Sequence, residues 1–186
     1  MKPLVTIMYG LLYPAVLGAI AYNLLPYLFN RFPKVVSERH TRLQVILGFF
    51  IALHFIADFA FIQEFSHDYG WLQFFLDLAV VFSLYNAFWA LRLDGNQVKE
   101  SEILPRRLAG WMACVYLAFL LWSEIERSQS TFVEHWPVLL AITATAFITF
   151  TVLTLRPRIW IITAAIFFFG VIETISSFKL LTLASQ

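Results

Sequence analysis

Six long stretches of the chain are almost free of charge, at about 4–29, 43–63, 71–92, 107–124, 137–155 and 159–179. The hydrocarbon core of a bilayer is about 30 Å thick and takes roughly 20 apolar residues to cross as an α-helix. Lipid offers no partner to a free peptide group, so a spanning segment must be a helix or part of a closed barrel. A barrel strand alternates apolar and polar residues, whereas the run from Val45 to Leu53 is apolar throughout. The sequence therefore predicts an all-α integral membrane protein: one domain over 1–186, built as a bundle of six transmembrane helices.

Composition closes off the soluble alternative. Hydrophobic residues make up 60% and charged residues 13%, against about 25% charged in a typical soluble domain. Twenty phenylalanines suit a surface facing lipid better than one facing water. A net charge of +1 gives no basic field for nucleic acid. The single cysteine, Cys114, rules out an intrachain disulfide and any Cys-x-x-Cys site, and reads as a small buried packing residue. The first apolar run reads as a retained span rather than a cleaved leader.

Charge sorts the connections. Arg31, Lys34, Arg39 and Arg42 fall in the first; Arg92, Lys99, Arg106 and Arg107 in or beside the third; Arg156 and Arg158 in the fifth. These are ten of the thirteen basic residues, and only Lys2, Arg127 and Lys179 fall on the other side. The excess of Lys and Arg on cytoplasmic loops puts both termini outside the membrane, as expected of a multi-pass protein of a bacterial inner or plasma membrane. The six tryptophans lie near the span ends, where amphipathic rings collect.

Ionisable groups within a span are costly and point to function. Four stand out: His54 and Asp58 in the second span, Asp77 in the third and Glu173 in the sixth. Counting inward at 1.5 Å per residue puts the three acids roughly 8–9 Å below the outer boundary. His54 and Asp58 are four apart and share a helix face, and Ser176 and Ser177 share a face with Glu173. Glu124 and other acidic loop residues would draw cations to the outer mouth. Such a cluster could carry protons or a cation, or hold a divalent metal through His54, Asp58, Asp77 and Glu173. Structural pairing of the same residues is the plainer alternative.

The remaining polar and small residues read first as packing. Gly10, Pro14 and Gly18, with Ala15 and Ala19 beside them, form a small-residue face of the first span suited to close helix approach. The threonines of the fifth span, from Thr143 to Thr154, can bond back to their own helix. Tyr9, Tyr13, Tyr22, Asn23 and Asn86 could line a polar interior or join helices.

Two short resemblances exist. The His-x-x-x-Asp spacing of His54 and Asp58 resembles the helical pair of cation-diffusion-facilitator transporters, which carry a second pair in span five that this chain lacks. The run Leu72–Phe82 resembles the acidic Phe-Phe-Asp span of low-temperature-requirement membrane proteins, but Leu72 and Gln73 replace its leading acid, and no function is carried over. Three functions are thus expected to compete. The first is a small, oligomeric channel or transporter for a cation or protons. The second is a non-enzymatic subunit whose basic face (Arg31, Lys34, Arg39, Arg42, Arg106, Arg107) docks a membrane-complex partner. The third is a metal-dependent enzyme acting on lipid.

Overall fold

The computed structural model describes residues 2–31, 39–65, 69–91, 93, 104–127 and 136–184. Within these helices, the side chains of 2–3, 30–31, 39–41, 60–65, 126–127, 136, 173 and 176–184 lie outside the description. Every regular element among the described residues is helical. The first rod, α1, starts as Lys2–Ile7, widens into a π turn over Met8–Leu12, returns to α geometry over Tyr13–Pro26 and ends in a second π turn, Tyr27–Arg31. The others are α2 (Arg39–Phe65), α3 (Trp71–Trp89), α4 (Pro105–Arg127), α5 (Trp136–Leu155) and α6 (Ile159–Ala184).

Five helices are long and apolar enough to cross a membrane: Leu4–Phe29, Arg42–Phe59, Trp71–Trp89, Pro105–Ile125 and Pro137–Leu155. In α6 the apolar stretch within the described residues is the shorter Ile159–Ile172.

Local chemistry explains where the helix geometry changes. Proline has no N–H and its ring crowds the carbonyl four residues back, here that of Gly10. The chain meets this by opening the turn just before Pro14, where the Tyr13 N–H reaches back five residues to the Met8 carbonyl. Gly70 starts α3, and its N–H donates to the Gln73 side-chain oxygen at 2.8 Å, satisfying a donor next to the helix end.

Neighbouring helices pack in sequence, and the bundle closes through α6, which lies against α2 as well as α5. The α1 rod packs on α2 and α3. Phe50 meets Phe167 edge to face between α2 and α6, at 4.9 Å between ring centres. At the end of the bundle away from the α2–α3 connection, Gly48 lets α2 come close to α1 and α3. A Cβ there would meet Leu24 at 2.8 Å and Leu93 at 2.9 Å. Gln44 secures this end by donating to the Leu91 carbonyl at 2.8 Å.

Several residues expected inside the bundle point outward. Cys114 is exposed, because the inward stripe of α4 runs through Leu108, Met112, Val115, Tyr116 and Trp122, leaving Cys114, Leu117 and Leu121 on the far face. Gly10, Pro14, Ala15 and Gly18 are also exposed, and a Cβ at Gly18 would meet nothing within 4 Å. The packing face of α1 is instead the stripe Tyr9, Tyr13, Ile20, Leu24 and Tyr27. Trp71, Trp89 and Trp160 are exposed, as interfacial rings should be, but Trp122 is buried.

Candidate functional site

Asp58 and Asp77 enter the bundle from α2 and α3 and are both buried, Asp77 completely. What brings them into one site is a pair of tyrosines on α1. Tyr13 donates its hydroxyl to Asp58, and Tyr9, one turn earlier, donates to Asp77 at 2.8 Å. The two rings stack with centres 5.5 Å apart and planes 21° from parallel. From the α2–α3 connection, Tyr69 donates to the same Asp77 oxygen at 2.5 Å, a length typical of a hydroxyl bound to a charged carboxylate. Burial first, and the Asp77 carboxylate second, push the Tyr69 phenol well above its ordinary range, so Tyr69 remains a donor. Phe55 and Phe59 of α2 close the tyrosine pair, edge to face against Tyr13 and tilted against both rings respectively.

His54 lies one turn along α2 from Asp58 and looks into a different part of the bundle. Its Nδ1 is 2.9 Å from the Phe50 carbonyl, and its Nε2 is 3.2 Å from the Tyr116 hydroxyl of α4. The ring lies across bare backbone at Gly170 of α6, where any Cβ would run into it. Tyr116 stacks on Phe150 of α5 at 5.4 Å, nearly parallel, and meets Phe169 of α6 at 5.9 Å.

The expected residues are therefore distributed as follows. Asp58 and Asp77 share one tyrosine-bridged cluster, and His54 adjoins it on the next turn. Position 173 falls one helical turn beyond Gly170 on α6, but the Glu173, Ser176 and Ser177 side chains lie outside the described residues. Glu124 is exposed on α4, as are Arg42, Arg106 and Arg107 on the basic side. The side chains of Arg31 and Arg39, and all of Lys34, lie outside the description. Among the described residues no three His, Cys, Asp or Glu side chains gather to hold a metal ion.

Of the other polar candidates, Tyr9 and Tyr13 join the site. Tyr22 faces outward, while Asn23 and Asn86 donate to carbonyls four residues back on their own helices. The α5 threonines do the same. Sequence reasoning missed Tyr69, Tyr116 and Gly170. Tyr69 was within reach of inference, since it directly precedes the start of α3 and so lies near the Asp77 level. Gly170 is the lone glycine in the bulky α6 run, one turn before Glu173, which is a legible sign of close approach. Tyr116 carried no such sign.

Together the fold and this buried polar core define a multi-pass helical membrane protein. No family model, no curated protein and no solved structure matches the chain.

Proposed function

We propose that the protein is a small membrane transporter or channel for protons, with six spans, both termini extracytoplasmic and Asp58 and Asp77 as its working groups. The observation that carries this reading is the bridge between them: two buried carboxylates on separate helices, joined by the stacked Tyr9 and Tyr13. Hydroxyls both donate and accept, so adding a proton to either acid turns an acceptor into a donor and reorients the adjoining tyrosine. That is the behaviour a proton path needs.

Protons suit the site better than a divalent cation does. Calcium takes six to eight oxygen ligands and magnesium a near-ideal octahedron, whereas tyrosine hydroxyls already engage both carboxylates here. Glu173 joins the proposal as a third acid, since its position follows Gly170 by one turn, on the helix that faces His54. The basic residues on the first, third and fifth connections support the orientation.

The test uses the full chain in liposomes loaded with a pH-sensitive dye. An imposed potential should drive proton entry through the wild type, and Asp58→Asn and Asp77→Asn should each cut it by at least about tenfold, a change of ~1.4 kcal/mol in the barrier. Both variants should keep their helicity. If both admit protons at the wild-type rate, the carboxylates serve as interhelical glue, and a non-enzymatic assembly role becomes the better reading.

A further inference from the structure

The His54 ring has a defined tautomer. A carbonyl oxygen can only accept, so the nitrogen 2.9 Å from the Phe50 carbonyl, Nδ1, carries the hydrogen. In a neutral ring Nε2 is then a bare acceptor, and the Tyr116 hydroxyl, 3.2 Å away, is its donor. This base is almost wholly buried. Its partner is held as firmly as it is: Tyr116 is clamped between Phe150 and Phe169, so its hydroxyl has a fixed position. The imidazole is seated on Gly170, where a Cβ would lie 2.9 Å from Nδ1 and 3.1 Å from Nε2. Histidine, tyrosine and glycine thus come from α2, α4 and α6 to one point, one turn from Asp58.

We propose that His54 and Tyr116 form a second proton-holding station where α2, α4, α5 and α6 meet, with Gly170 as its positioning residue. The proposal rests on the proton-transport reading and extends it beyond the two carboxylates. The transfer balances without a further reactant. An arriving proton binds the Tyr116 oxygen, the hydroxyl passes its own proton to Nε2, and the resulting imidazolium carries N–H at both nitrogens. Tyr116 is again a neutral hydroxyl and now accepts from Nε2–H. The reverse transfer, from Nε2 back to the Tyr116 oxygen, releases the held proton. Gly170 matters because a side chain there would displace the ring and part Nε2 from the hydroxyl.

The experiment is nitrogen-15 NMR of histidine-labelled full-length protein in lipid bilayers, with His54 assigned by loss of its signals in His54→Asn. At neutral pH the wild type should show a protonated Nδ1 and a bare, hydrogen-bonded Nε2. Tyr116→Phe, which removes one oxygen and keeps the ring, should move the Nε2 signal to the position of an unbonded nitrogen. Gly170→Ala should do the same; should that variant fail to fold, Tyr116→Phe decides alone. A protonated Nε2, or an Nε2 signal unchanged in Tyr116→Phe, overturns the proposal.

Flux separates this proposal from the reading beneath it. Tyr116→Phe should slow proton entry by about tenfold. If the aspartate variants stop entry and Tyr116→Phe does not slow it, the station is refuted and the carboxylate path stands. If the wild type itself passes no protons, the transport reading and the station fall together.

Discussion

Two phenolic hydroxyls converge on one oxygen of Asp77, a side chain with no exposed surface. A hydrogen bond to a charged group is worth about 1.5–3 kcal/mol, and removing the donor leaves the carboxylate with its desolvation cost uncovered. Tyr69→Phe should therefore lower stability by about 1.5–3 kcal/mol, read from thermal unfolding in detergent. The same residue sets an alkaline limit. Its phenol is held above the ordinary range, so the folded state keeps a proton that the unfolded chain gives up above about pH 10. A raised pKa means that this contribution is complete below that point and is lost as the pH climbs beyond it. Wild-type protein should lose stability above about pH 10 in part through Tyr69; Tyr69→Phe should flatten that slope, and an unchanged slope would show that the phenol is not protected.

Glycine marks opposite situations on two helices. At Gly48 the space for a side chain is filled by Leu24 and Leu93 from neighbouring segments, while at Gly18 nothing stands within 4 Å. Gly48→Leu should destabilise by about 1–3 kcal/mol through overpacking, whereas Gly18→Leu should stay within about 0.5 kcal/mol. Equal effects in a thermal melt would contradict this packing. The contrast also shows what could be read in advance. Helix existence follows from apolar length alone, which is why α2, α3, α4 and α5 fall where the sequence suggests. Helix facing does not: Gly10, Pro14 and Gly18 have the spacing of a packing stripe, yet tyrosines on the other side of α1 make the contacts. Nearly every position on these helices is apolar, so little periodicity separates an inward face from a lipid-facing one.

Across the whole molecule, the polar groups of the site lie toward the α2–α3 connection, and the opposite end is filled by Leu24, Phe88 and Leu93 around Gly48. Asp58, Asp77 and His54 could be picked out because charge is rare in an apolar run. Their partners could not, because Tyr9, Tyr13, Tyr69 and Tyr116 resemble the many other aromatics, and only tertiary packing distinguishes them. Orientation is testable by chemistry. With Cys114 replaced by Ser, a membrane-impermeant maleimide applied to intact cells should label Lys2→Cys at once and Arg156→Cys only after permeabilisation. The reverse pattern would invert the proposed topology.

The widened turn at Met8–Leu12 gives α1 one residue of slack between Tyr9 and the rest of the rod. An ordinary helix turns about 100° per residue, so deleting Gly10 should restore regular pitch, leave Tyr13 on Asp58 and swing Tyr9 away from Asp77. The shortened protein should keep its span and lose only the first of the two phenol–carboxylate links that α1 makes. The loose coil thus sets the angular timing between two neighbouring acids, with the proline behind it as the fixed reference.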